Sequence, residues 1–162
     1  MSFCEKLAEN LEAPDARKGL GISVCMGIGC EANSLPSLAQ SARMARMALD
    51  VGCALGMKTC SYKALRTEIL LSCIPPSYQR QHIEQTLHNM QDIDDELLET
   101  FLAWCNSSFS AGKVARKLSI HRNTLQYRLK KLKDLLGLDP WNFHDCFCLW
   151  AALTLKKMRE AR

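Results

Sequence analysis

The chain has 162 residues, enough for one or two small domains, with an ordinary globular composition and a net charge of +4. Its modest total conceals a strong local bias. From Met1 to Pro75 eight basic residues face seven acidic ones, from Pro76 to Thr100 one basic residue faces six acidic ones, and from Phe101 to Lys133 there are eight basic residues and no acid. That asymmetry argues for a polyanion at one patch and against a generally sticky protein. The nine cysteines include no CxxC pair, and no His lies at zinc-finger spacing, so no metal site is expected. Their apolar neighbours suggest small buried side chains in a reducing cytosol. No signal peptide or membrane-spanning run is present, and the Leu149–Leu155 apolar stretch is too short to cross a bilayer.

The pattern predicts a short helix over residues 1–13, stopped by Pro14-Asp15. Residues 20–29 alternate as a strand, with Ile22, Val24, Met26 and Ile28 on one side. Gly27-Ile28-Gly29 lacks a phosphate-loop pattern and reads as a strand end packed closely against backbone. A helix should start at Ser34-Leu35-Pro36, with Ser34 as N-cap, run to about Val51 and end at Gly52. Leu38, Ala42, Ala45 and Leu49 form one stripe on it, and Met44, Met47 and Val51 another. A short extended piece follows near Thr59–Tyr62, then an apolar helix over residues 63–74. A lone strand cannot satisfy its backbone groups. Either another subunit completes the sheet or its other strands are missing, and the second is favoured. Pro75-Pro76-Ser77 reads as a linker, and residues 78–90 as a polar helix with Ile83 and Leu87 inward. His82 and His88 read as surface residues. Residues 92–104 carry a strong helix signal, with Asp92 or Asp94 capping, acids in the first turn, and Leu97, Leu98, Phe101, Leu102 and Trp104 on the buried side.

The segment from Ala111 to Leu136 organises the rest. Val114, Ala115 and Leu118 share one helical face, and Leu125, Leu129, Leu132 and Leu136 repeat at i, i+4, i+7 and i+11. Only Leu118-Ser119-Ile120-His121 separates the two periods, and two helices joined so tightly make a helix-turn-helix whose second helix, residues 121–136, enters the DNA major groove. With the leucines inward, Asn123, Tyr127 and Lys130 face outward. Arg122 and Asn123 occupy the first turn, where base edges are met; Arg can pair with guanine and Asn with adenine. Thr124 and Tyr127 fit either base readout or a phosphate or thymine-methyl contact. Lys113, Lys117, His121, Arg128, Lys130, Lys131 and Lys133 supply phosphate contacts. A basic amphipathic helix alone would also fit the solvated face of a bundle. The short turn, the bulky stripe and Arg-Asn-Thr at the helix start together favour DNA.

Gly137 reads as a C-cap, Leu138-Asp139-Pro140 as a turn, and residues 141–158 as a long helix. Its aromatics, Phe143, Phe147 and Trp150, are core or dimer interface; Asp145 caps or forms an internal ion pair. Lys156, Lys157, Arg159 and Arg162 add weak phosphate contacts or keep the end soluble.

VARKLSIHRNTLQYRLKKLKDLLGLDP resembles the C-terminal helix-turn-helix of the PucR family of bacterial regulators, and within it the carbohydrate (sugar) diacid regulators. The likeness is strong over residues 92–155 and weaker over 19–71. It implies a mainly α fold: a helix-turn-helix bundle over residues 92–162, preceded by a partial α/β, GGDEF-like segment over 1–75 and a linker helix over 76–91. It further implies a cytoplasmic, homo-oligomeric activator that binds a double-stranded DNA operator near genes for glucarate, galactarate or glycerate use. The sugar diacid effector would bind a domain absent from this chain. No cofactor is implied. A PucR-type regulator of another catabolic pathway and a non-specific nucleoid protein are the alternatives. A nucleotide cyclase is disfavoured: the acids of residues 13–71, Asp15, Glu31, Asp50 and Glu68, are isolated and form no GG[DE]EF loop.

Overall fold

Strand β1 (Met26–Ile28) leads into helix α1 (Leu35–Ala54), and β2 (Thr59–Ser61) returns beside β1, so the chain traces a β-α-β crossover. The computed structural model describes residues 25–88 and 93–160. The helix expected over residues 1–13 and the strand residues before Cys25 lie outside them. Because a helix carries the chain back, the two strands pair in parallel, with Met26 opposite Thr59 and Ile28 opposite Ser61. The weaker extended piece near Thr59 is therefore the partner of the first strand, and among the described residues the sheet has these two strands.

Local chemistry explains α1. Ser34 and Ser37 form a reciprocal capping box, and Pro36 sits in the first turn, where its missing N–H costs nothing. A Cβ on Gly27 would come within 2.2 Å of the Ala45 carbonyl oxygen, so the helix backbone packs directly on the strand, as the Gly-Ile-Gly pattern suggests. Gly52 does not end the helix. It lies inside it, facing the Cys60 thiol, which a Cβ would approach to 2.2 Å; the chain turns after Ala54, at Gly56 with φ 77°. The buried face is Ala48, Val51 and Gly52, so of the two stripes only Val51 of the second is buried, and Leu38 of the first is 58% exposed.

Helix α2 (Arg66–Ser72) is shorter than its apolar run because only Ile69 and Leu71 are buried. By internal contacts the chain divides into two compact units, Met1–Pro75 with Lys156–Arg162, and Pro76–Leu155. Ala48, Val51, Cys60, Leu65, Ile69 and Met158 form the core of the first.

The second unit is helical: α3 (Pro76–Thr86), α4 (Asp95–Asn106), α5 (Ala111–Lys117), α6 (Arg122–Leu136) and the part of α7 (Phe143–Glu160) up to Leu155. Pro76, read as linker, opens α3, since proline is tolerated at a helix start. That helix ends at Thr86, short of the expected Met90, and Met90 itself and the possible cap Asp92 lie outside the described residues. Phe101, Val114, Leu125, Leu129, Leu132, Leu149 and Leu155 are the large apolar side chains most deeply buried in this unit, drawn from α4 to α7. Trp104 is anchored by its indole N–H, which donates to the Pro140 carbonyl at 2.9 Å. The cysteines depart from the expectation that most are buried: Cys60 and Cys146 are buried, but Cys25, Cys30, Cys53 and Cys73 are exposed. Burial pushes the Cys60 thiol up to about 11.

Candidate nucleic-acid interface

Helices α5 and α6 are held by α4, and the turn between them is as short as the sequence indicates. Leu118 is the C-cap of α5, and Ser119 takes a left-handed conformation with φ 55°. The Ile120 amide donates to the Ala115 carbonyl at 3.0 Å, closing the turn. His121 then becomes the N-cap of α6, just outside the helix in which it was placed. Its Nδ1 accepts from the Asn123 amide at 3.2 Å. Nδ1 is thus engaged as an acceptor, and the ring's other nitrogen, Nε2, carries the hydrogen of the neutral imidazole. An exposed donor therefore stands at the helix start.

The inward stripe is as read: Leu125, Leu129, Leu132 and Leu136 are the buried residues of α6. Arg122, Asn123, Gln126, Tyr127 and Lys130 are exposed on the other side, with Tyr127 at 67%, and Thr124 is half-buried. Burying a tyrosine is ordinary; leaving one this exposed beside Asn123 gives the surface an aromatic body and a polar tip.

The basic residues divide into two groups. Lys113, Lys117, His121 and Lys130 are exposed, and among the described residues no ion pair engages them. Arg128, Lys131 and Lys133 are occupied. Arg128 is the clearest departure from the phosphate role assigned to it. Its side chain is only 15% exposed, its Nη1 donates to Thr100 Oγ1 at 3.3 Å, and its Nη2 pairs with Glu96 on α4. Thr100 is fully buried and its own hydroxyl donates to the Glu96 carbonyl at 2.7 Å. The guanidinium thus ties α6 to α4 and does not face outward. Its position at i+3 from Leu125 put it at the edge of the buried stripe, and the acids in the first turn of α4 drew it in.

Lys131 Nζ lies 3.2 Å from Asp94 Oδ2, so Asp94 stands at the N-cap of α4 but spends its carboxylate on α6, not on its own helix. Lys133 Nζ lies 2.6 Å from Asp139 Oδ2. Each partner marks the other: the Asp139 carboxylate holds Lys133 above its ordinary value, and Lys133, with the Trp141 amide, holds Asp139 below its own. Lys131 and Lys133 remain partly exposed, and surface pairs of this kind are weak. The acidic face of α4 therefore neutralises the supporting side of α6 and leaves the positive charge on the outward side.

Beyond α6, Gly137 is the left-handed C-cap with φ 69°, its amide donating to the Lys133 carbonyl. Asp139 Oδ1 accepts from the Trp141 amide, and Asp145 Oδ2 from the Asp139 amide, so Asp145 braces this turn. Trp141 belongs to the turn and not to the helix, which starts at Phe143. It is 52% exposed and borders an open cleft of about 390 Å³ whose other walls are Gln126, Lys130, Lys133 and Asp134. Spacing gives this tryptophan no role at the site; the Asp139-Pro140-Trp141 turn directly after the Gly137 C-cap is the signal that could mark it. Along α7, Phe143 and Phe147 stack at 6.3 Å, and Phe147 lies 6.0 Å from Trp150. Phe143 is 75% exposed, so that end of the aromatic stripe is not core in this chain.

His82 Nε2 lies 3.1 Å from the Cys148 carbonyl and His88 Nδ1 3.1 Å from the Gln85 carbonyl. Among the described residues no group of three or more His, Cys, Asp or Glu could hold a metal, and no helix is long and apolar enough to cross a membrane.

Residues 97–155 match the family described as the PucR C-terminal helix-turn-helix domain. The chain is 33% identical over 100 residues to the carbohydrate diacid regulator of Escherichia coli (strain K12), a match covering 60% of this chain and 26% of that protein. It is 32% identical over 100 residues to the purine catabolism regulatory protein of Bacillus subtilis (strain 168), covering 60% of this chain and 19% of that protein. The regulator of polyketide synthase expression from Bifidobacterium adolescentis gives a TM-score of 0.48 at 23% identity, over 75% of this chain and 52% of that chain. The chain thus spans about a quarter, or less, of the length of these curated relatives.

Proposed function

From a chain that carries, over residues 97–155, the C-terminal helix-turn-helix domain of a PucR-family regulator, we infer that this protein reads a specific operator through the first two turns of α6. The observation that carries the reading is the outward face of that helix. Arg122, Asn123 and Tyr127 stand exposed in its first two turns, backed by four buried leucines and flanked by Lys113, Lys117, His121 and Lys130, which no ion pair among the described residues engages. Arg122 pairs with guanine and Asn123 with adenine, with Thr124 and Tyr127 completing the readout. The four flanking groups hold phosphates; Lys131 and Lys133 join them only by exchanging their carboxylate partners. Such an array makes affinity fall steeply with salt. The DNA-binding domain occupies residues 92–162, preceded by the helical segment 76–91 and the α/β segment 1–75, and two copies read two half-sites. The protein works as a transcription regulator in the cytoplasm and not as an enzyme.

For the regulated genes we propose sugar diacid utilisation, by activation, on the likeness to the carbohydrate diacid regulator. The nearly equal identity to the purine catabolism regulatory protein supports a second reading, another catabolic pathway on the same DNA-binding domain. The test is selection from a random duplex pool, followed by binding of the recovered duplex at two salt concentrations. A recovered motif with repeated half-sites, whose affinity drops about 1–3 kcal/mol in Asn123→Ala while random duplex is held as before, is the expected result. Equal loss on all sequences overturns the assignment of Asn123 to base readout. The position of the motif in a genome then separates sugar-acid genes from other pathways.

A further inference from the structure

We propose that Trp141 and Lys130 form a second contact with the DNA backbone, across the groove from Arg122 and Asn123, with the indole packed on deoxyribose and the ammonium on the adjoining phosphate. The proposal rests on the operator-reading function of α6. It starts from an exposed aromatic that is held in place. Trp141 is 52% exposed, yet its amide is bonded to Asp139 Oδ1 at 2.9 Å and its ring stands edge-on to Trp104 at 6.5 Å. Trp104 is itself pinned to the Pro140 carbonyl, one residue away. An exposed side chain fixed at both backbone and ring loses little freedom when a ligand covers it.

The second observation is where the ring stands. Its cleft is walled by Gln126, Lys130, Lys133 and Asp134, which continue the outward stripe begun by Asn123 and Tyr127. Lys130 is seven residues beyond Asn123, about 10 Å along the helix at the usual rise. The major groove is about 12 Å wide, so a helix whose start meets base edges brings this position to the flanking strand. The charges in the cleft fit that occupant. Asp139 pairs with Lys133, and Asp134 also lies in the field of Lys133, whereas no ion pair among the described residues engages Lys130. The unengaged cation and the apolar ring line one cleft, matching the alternating phosphate and sugar of a nucleic-acid strand.

The experiment is acrylamide quenching of tryptophan fluorescence with and without the duplex recovered from the random pool. Trp104 is buried and Trp150 half-buried, so Trp141 dominates the quenchable signal. DNA is expected to shield it, and Trp141→Phe to abolish the DNA-dependent change. Trp141→Ala and Lys130→Ala should each weaken binding, Trp141→Ala by roughly five- to tenfold as for a well-packed interface side chain, without altering the recovered motif. The quenching is read on the unsubstituted chain, so the test survives any folding defect in the alanine variant. Equal quenching with and without DNA, and wild-type affinity in Trp141→Ala, overturn the contact while operator reading stands. Retention of no duplex by the unsubstituted chain overturns operator reading, and the contact with it.

Discussion

Replacing Arg128 with alanine separates a residue that builds the DNA-binding surface from residues that touch DNA. The guanidinium makes one bond to a fully buried hydroxyl and one ion pair to Glu96, whose side chain is 65% exposed. A bond to a charged group is worth about 1.5–3 kcal/mol when buried, but an exposed partner brings an ion pair toward 0–1 kcal/mol. The 3.3 Å bond to Thr100 lies at the long end of the range. Thr100 keeps its own bond to the Glu96 carbonyl when the arginine is gone, and Glu96 turns to water, so no buried group is orphaned. Adding the buried aliphatic stem, the loss comes to about 2 kcal/mol of unfolding free energy for Arg128→Ala. Arg128→Lys keeps charge and stem but not the planar fork, and should lose about half of that. Urea denaturation measures the stability, and anisotropy titrations over a salt series measure the DNA side. A positioning arginine lowers stability and affinity while leaving the slope of log affinity against log salt unchanged. A phosphate contact lowers that slope by about one and leaves stability intact. The second pattern would refute the inward assignment.

Gly137→Ala should cost about 1–2 kcal/mol through backbone strain alone, because φ is 69° and a new Cβ meets nothing within 4 Å. Denaturation should show Gly137→Asn to be milder, since Asn tolerates the left-handed region better; equal stability of the alanine variant would exclude a strained C-cap. The Asp139 carboxyl is held below its ordinary value by Lys133 and the Trp141 amide, so its contribution is fully present above about pH 4 and is lost as pH falls through the lowered value. Thermal melts across that acid range should therefore decline more shallowly in Asp139→Asn than in the unsubstituted chain, and parallel curves would remove this group from the acid response.

Periodicity made the second unit legible. The leucines of α6 obey a strict 3.6-residue repeat and are flanked by residues with decisive local chemistry, a tight turn before and a left-handed glycine after. Nothing in α1 is as decisive. Leu38 and Leu49 lie on a good apolar stripe, but the strand meets the helix at small residues, where Gly27 admits the backbone at Ala45 and Gly52 admits Cys60. Contact made by the absence of side chains leaves no hydrophobic signal, so periodicity offers two stripes without choosing between them, and of the buried residues Ala48, Val51 and Gly52 only Val51 lies on either.

Charge posed a different difficulty. Sequence counts eight basic side chains between Phe101 and Lys133 and offers no means of pairing them, because the acids that engage three of them are distant in the chain. Asp94 and Glu96 lie more than thirty positions before Lys131 and Arg128, and Asp139 lies beyond a turn from Lys133. Once folded, Asp94 and Glu96 neutralise the side of α6 that faces its own domain, and Asp139 engages Lys133 at the edge of the open cleft. The remaining cations, Lys113, Arg116, Lys117 and Lys130, then share the exposed surface with Arg122 and Asn123. A net charge of +4 would bring such a chain to any polyanion. What orients it is the removal of charge from the supporting side, and the acid-rich start of α4, which looks in sequence like a simple helix N-terminus, is the element that does it.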